Sequence, residues 1–241
     1  MTAWTLVAVG AASTSAVGGN LTITLPAGGQ KGDLYVAVIA YRSTPAFTGP
    51  AGWTIHQQQS LGNTSTTTNT SIGSGLIASI VRGDAAPGNV FTRTAGDVAL
   101  GRILIYRASN GRPVFMASSS STAAANATAL STAAINVISK DTLIIAGFCG
   151  ADNTTVSIFD ATDPATASAA TDTTTPPTAG NWYERADSNT ATGADTALGI
   201  ADGVKATTGS TGNIICTAGN SSRHVMVAAA FYVRKRYVLA T

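Results

Sequence analysis

The chain has 241 residues, of which 11% are charged and 44% hydrophobic, and its formal net charge at pH 7 is +2. So small a charge excludes a protein that holds nucleic acid or an anionic membrane electrostatically, because both need clustered Lys and Arg. No run of 18 apolar residues occurs, which excludes a membrane-spanning helix.

Strand signals dominate the chain. In order they cover Trp4–Val9, Leu21–Leu25, Leu34–Tyr41, Trp53–Gln57, Leu76–Val81, Val90–Thr94, Ile103–Tyr106 and Val114–Ala117. They continue over Ala134–Ile138, Thr142–Ala146, Trp182–Arg185, Leu198–Val204, Asn213–Thr217 and Val225–Val233. In Leu34–Tyr41 both alternate sets of side chains are apolar, as expected for a strand covered on both faces. Short strands with Gly, Pro, Asn and Asp between them indicate an all-β sandwich or barrel. Ser121–Ala134 is rich in Ala and reads as a short helix by that measure, but its Thr, Ser and Asn favour a strand.

The two halves resemble each other in order. Lys31-Gly-Asp-Leu-Tyr-Val-Ala-Val corresponds to Ser139-Lys-Asp-Thr-Leu-Ile-Ile-Ala, and Gly49-Pro-Ala-Gly-Trp53 to Pro177-Thr-Ala-Gly-Asn-Trp182. Gly88-Asn-Val-Phe91 matches Gly212-Asn-Ile-Ile215, and Leu104-Ile-Tyr106 matches Ala230-Phe-Tyr232. The expected architecture is one compact β-sandwich unit made of pseudo-repeats 1–110 and 111–241. Two tandem sandwiches with the same boundary are the alternative. The stretch Arg107–Pro113 has no Pro-rich or charged linker character, which favours the single unit.

Chemistry-bearing motifs are scarce. The histidines are His56 and His224, and Glu184 is the single glutamate. No HExxH, CxxC, phosphate-binding Gly loop or GxSxG occurs. Asp160 and Asp163 lie close in sequence but in a Thr/Ala-rich stretch, where turn and cap roles are the ordinary ones. The chain is therefore expected to be non-catalytic, with no cofactor and no metal site. Arg82-Gly83-Asp84 follows a strand and reads as turn chemistry rather than an adhesion tripeptide. Cys149 and Cys216 fall in apolar runs, either as buried thiols or as a disulfide. Trp53 and Trp182, with Tyr183, fit either a sugar platform or a core plug, and the repeated position favours the core.

Contact surfaces are sought where the halves differ. The polar run Ser60–Ser74 and the long stretch Asp160–Asn181 are the candidates, since long loops in compact domains often carry function. Thr64, Asn69, Asp163 and Thr174 represent them. Arg234, Lys235 and Arg236 form the one basic run, either a solvated strand end or a latch onto an acidic neighbour.

Three strings, Lys31-Gly-Asp-Leu-Tyr-Val-Ala-Val-Ile-Ala-Tyr41, Pro50-Ala-Gly-Trp-Thr54 and Ala99-Leu-Gly-Arg-Ile-Leu-Ile-Tyr106, resemble a pattern of tail and virion-associated proteins of tailed bacteriophages. The resemblance covers the first half well and the second loosely, and it carries a strand, a turn and a Trp rather than a site. It implies a β-sandwich of jelly-roll or lectin-like type that serves as a capsid-decorating, collar, tail or fibre protein, acting as a homo-oligomer and through other virion proteins. The low charge suits such packing, because copies lose little hydration when they meet. With no basic and apolar leader after Met1, the chain is expected to be made in the host cytoplasm and to end in the virion. A carbohydrate-binding receptor module that recognises a host surface glycan is the second reading.

Overall fold

The computed structural model describes residues 4–16, 18–42, 46–61, 73–94, 96–123, 126–165, 171–191 and 195–235. Among them the regular structure is all strand. The first half contributes β1 (Trp4–Val9), β2 (Ser13–Ser15), β3 (Leu21–Thr22), β4 (Leu34–Arg42), β5 (Phe47–Thr48), β6 (Thr54–Ser60), β7 (Gly73–Val81), β8 (Val90–Arg93) and β9 (Ala99–Ala108). The second contributes β10 (Gly111–Thr122), β11 (Ala127–Ser131), β12 (Asn136–Val137), β13 (Thr142–Gly150) and β14 (Val156–Asp160). It ends with β15 (Trp182–Thr190), β16 (Thr196–Lys205), β17 (Gly209–Ser210), β18 (Ile215–Ser222) and β19 (His224–Lys235). The described residues of 121–134 are not helical and hold the end of β10 and the strand β11.

Each half builds one large antiparallel sheet. The first has the order β1-β9-β4-β7-β6, with β2 also on β9, and the second β10-β19-β13-β16-β15. Smaller sheets β3-β8-β5 and β11-β18-β14, and the pair β12-β17, lie outside them. Every described hydrogen-bonded strand pair comes from a single half. The halves are thus two lobes that do not interleave, and they share a core.

That core dictates the sequence of the central strands. In β4, Leu34, Val36, Val38 and Ala40 face the layer between the large sheets, while Tyr35, Ala37, Ile39 and Tyr41 face the first lobe's outer sheet. In β13, Leu143, Ile145 and Cys149 face the shared layer and Ile144, Ala146 and Phe148 face outward. These strands have no solvent face, so both periods are apolar, as the sequence of β4 suggests. The sheets approach closely where side chains are absent. A Cβ on Gly147 would lie 2.4 Å from Val38 Cγ1, and one on Gly75 would lie 2.7 Å from Cys149 Sγ. Tyr106 stands opposite Leu34, and Phe231 opposite Leu143, both facing the shared layer. By face, Phe231 on Leu143 takes the place of Tyr106 on Leu34, so both strands stand one residue out of step with the sequence match, which sets Thr142 against Leu34 and Tyr232 against Tyr106.

One ionic cluster lies inside the shared layer. Asp202 accepts from Arg185 Nε at 2.7 Å and Nη2 at 2.8 Å, and from the Tyr106 hydroxyl at 2.7 Å. Arg185 Nη1 donates to the Asp172 carbonyl at 2.7 Å. The side chains of Arg185 and Asp202 have no solvent exposure. Burial pushes the Asp202 carboxyl up, against the pull of Arg185, and pushes the Tyr106 phenol well above its usual value. Tyr106 belongs to the first lobe and the ion pair to the second, so the phenol ties one to the other. Trp4 Nε1–H to the Asp141 carbonyl (2.9 Å) and Arg102 Nε–H to Ser188 Oγ (3.0 Å) do the same. Removing one partner of a buried pair leaves a charge without compensation. Arg185→Met is therefore expected to lower stability in urea titration by about 3–5 kcal/mol, and Arg185→Met with Asp202→Leu to recover most of the loss.

Candidate functional site

The strand pairing gathers many chain reversals at one end of the stack. Leu34 is level with Val81 and Tyr106, Thr142 with Lys205, and Gly111 with Lys235. The chain crosses between lobes there, from β9 to β10, through Ser109 and Asn110 alone. Asn110 has φ 65°, a left-handed conformation that Asn tolerates better than most residues.

Buried strands force charge to such ends. Lys31, Arg82, Arg107, Arg112, Lys140, Lys205, Arg234 and Lys235 all lie at or beside these strand termini. Some are answered locally. Arg107 donates to both Asp33 carboxylate oxygens (2.9 and 2.8 Å), Lys205 to Asp163 (2.7 Å) and Lys31 to Asp84 (2.7 Å). Arg82 donates to the Gly29 carbonyl and to Tyr35. The side chains of Arg112, Lys140, Arg234 and Lys235 are exposed and have no hydrogen-bond or ionic partner among the described residues. Arg112 and Arg234 are direct cross-strand partners on β10 and β19. Like charges placed so repel.

A cleft of about 490 Å³ opens beside them at the seam of the lobes. Thr54, His56, Ser79 and Val81 line it from the first lobe, and Arg112, Pro113, Phe115 and Arg234 from the second. His56 stacks on Phe115 with ring centroids 3.8 Å apart and planes 9° apart. Phe115 is still 38% exposed. His56 Nε2 lies 2.7 Å from Ser79 Oγ. A serine and an imidazole at that distance are two members of a nucleophilic set. Among the described residues no carboxylate hydrogen-bonds the other ring nitrogen. Burial lowers the His56 pKa to about 4, so the ring is a weak base that is neutral at pH 7. Further on, Gln57 Nε2 donates to Ser118 Oγ at 2.9 Å and Ser120 Oγ to Gln57 Oε1 at 3.2 Å, closing the seam. On the far side of β19, a cavity of about 510 Å³ is lined by Ile138, Lys140, Asp141 and Lys235, with Ile138 76% exposed.

No protein-family model, curated protein or solved structure matches the chain. Function has to be argued from the site alone.

The residues singled out from sequence are dispersed. Thr64, Asn69 and Arg236 lie outside the described residues. Asp163 is the carboxylate that holds Lys205. Thr174 is exposed in a turn, where its amide and hydroxyl donate to Asp172 at 2.8 and 3.1 Å. Much of the described part of the long stretch 161–181 serves the second lobe. The Asp172 amide donates to the Glu184 carbonyl at the β15 edge, and the Pro164 carbonyl accepts from Trp182. Arg234 and Lys235 are brought together with Arg112 and Lys140, which sequence reading passed over. The signal was present in Arg107–Pro113: a turn between two strands puts its flanking cations beside the other strand ends.

The tryptophans are scaffold. Trp182 is buried with Nε1–H on the Pro164 carbonyl (2.8 Å). Trp53 is half-buried, packs edge-on to Phe91 and donates to the Gly88 carbonyl (2.8 Å). Cys149 and Cys216 are free and buried in different apolar layers, and burial pushes both thiols up. In Arg82-Gly83-Asp84 the acid is paired with Lys31 and the arginine turns toward Tyr35. No helix of the described residues is long and apolar enough to cross a membrane.

His224 resembles His56 in that burial lowers its pKa from 6.5 to about 4. Both rings bind a proton more weakly when folded than when unfolded. Their stabilising contribution is complete above about pH 6.5, falls as pH drops toward about 4, and is constant below that. The thermal midpoint is therefore expected to fall between pH 7 and pH 4.5, and His56→Gln, which keeps a hydrogen-bonding group toward Ser79, to flatten part of the slope. A variant whose pH dependence matches that of the wild type would show that the His56 ring is not held neutral.

Proposed function

We propose that the chain is a non-catalytic structural component of a bacteriophage particle, acting through protein–protein contacts. It would decorate a capsid or form part of a collar, tail or fibre, assembled with copies of itself and with other virion proteins after synthesis in the host cytoplasm. The observation that carries this reading is the patch at one end of the stack. There, unpaired Arg112, Arg234, Lys140 and Lys235 stand beside exposed Ile138 and Phe115. Arginine and exposed apolar or aromatic side chains at the centre of a patch are what protein interfaces favour. The rigid stack behind them supplies a fixed platform. The low charge of the chain is a weaker argument, since strands buried on both faces already call for few charges.

The identical strand order of the two large sheets supports a duplicated unit, each lobe a jelly-roll-like sandwich of one large and one small sheet. The sequence matches between the halves point the same way. A glycan-binding module is less well supported, because Trp182 is buried and Trp53 is half-buried against Phe91.

Mass spectrometry of purified particles of the phage that encodes the chain is expected to find it in many copies. Sedimentation of the isolated protein is expected to show self-association as concentration rises. A protein that stays monomeric at high concentration and is missing from the particles would overturn the proposal.

A further inference from the structure

We infer that the seam cleft is a docking site for an extended acidic segment of a neighbouring protein. The inference rests on the assembly reading and names the chemistry of its partner.

Charge supplies the first argument. Arg112 and Arg234 face each other across β10 and β19 without a carboxylate among the described residues to separate them. Elsewhere at this end of the stack the cations of Arg107 and Lys205 are held by Asp33 and Asp163. Among the described residues nothing compensates the Arg112–Arg234 repulsion, and a carboxylate bound between them relieves it. The guanidinium fork fits a carboxylate with two parallel hydrogen bonds.

Shape supplies the second. β6 and β10 are edge strands of different sheets, and they meet along the seam. Gln57 and Ser118 bridge them further along, and the cleft is what remains open. Its walls mix hydroxyls with the apolar surfaces of Pro113 and Phe115, which suits acidic residues interleaved with apolar ones. Pro113 has no N–H to offer, so capture by side chains is favoured over addition of a new strand to β10. Nucleic acid fits less well. Among the described residues the one exposed ring, Phe115, is already covered on one face by His56, and the described cations do not form a long track for phosphates.

Fluorescence anisotropy at low ionic strength tests this. The probe is a labelled hexapeptide that alternates Asp or Glu with Phe. A heparin-derived hexasaccharide and a single-stranded oligonucleotide of equal charge serve as competitors. The wild-type chain is expected to bind the peptide, and Arg112→Glu with Arg234→Glu to weaken it by at least about tenfold. Arg223→Gln, at the opposite end of the stack, is expected to change nothing. Because Arg112 and Arg234 are exposed, the double variant should keep its thermal midpoint, which is measured alongside. No peptide binding, an equal loss in Arg223→Gln, or stronger competition by the saccharide or oligonucleotide would overturn the inference. Incorporation into particles separates the two proposals. Wild type present with the double variant lost supports both, and equal incorporation overturns the cleft as the contact. Absence of wild type overturns the assembly reading and leaves the cleft to the peptide titration.

Discussion

The face-to-face packing of the two large sheets sets the terms for the rest of the molecule. Once β4 and β9 lie against β13, β16 and β19, the central strands have neighbours on both sides and none of their faces meets water. Residue choice follows. Both alternate sets must be apolar, and side chains must shrink where the sheets come close. Ala228, Ala229 and Ala230 in β19 and Gly75 and Gly147 in β7 and β13 meet that demand. The Ala- and Gly-rich composition is in this sense a packing requirement, as a well-filled interior tolerates neither voids nor extra methylenes.

The same packing governs polarity. A charge inside the shared layer survives only with its partners in place, and Asp202 has both the Arg185 fork and the Tyr106 hydroxyl. Unpaired cations are therefore confined to strand ends, where water reaches them. Hydrogen bonding across the seam fixes which ends coincide. Tyr106 to Asp202 and Trp4 to Asp141 set one lobe against the other, and the short crossing at Ser109 and Asn110 keeps them there. The patch of Arg112, Lys140, Arg234 and Lys235 is a result of that alignment rather than of any local motif.

This explains what could and could not be read from sequence. The strands of the shared layer were legible because a doubly buried strand is a continuous apolar run, as in Leu34–Tyr41. The core role of the tryptophans was legible from their repeated position. Short outer strands such as β5 and β17 were not, since two residues carry no period. The five-residue β14 and the Ser-rich end of β10 were also missed, the first for its shortness and the second because a strand with one wet face in a Ser/Thr-rich chain looks like a loop. The long stretch Asp160–Asn181 looked like a surface for partners because it is polar and irregular. Much of its described part is instead held by side chains and backbone of the second lobe, a dependence on distant Lys205, Trp182 and Glu184 that spacing cannot reveal. The site itself was half legible. Arg234 and Lys235 stood out as a run, whereas Arg112 became significant only through its register with Arg234.

The seam cleft depends on both lobes, and this bears on why two similar units should occupy one chain. Thr54, His56 and Ser79 come from an edge region of the first lobe, while Pro113 and Phe115 come from the first strand of the second. Arg112 opens that strand and Arg234 lies near the end of the last one. Neither lobe alone makes the cleft, and a symmetric pair of separate lobes would make two equal seams or none. Covalent connection through Ser109 and Asn110 fixes one seam in one geometry. It also removes the entropy that two free units would lose on meeting. On the proposed reading, that seam is the attachment point of a body that joins a larger assembly in one orientation. The asymmetry between two otherwise similar halves is therefore where recognition by a partner can reside.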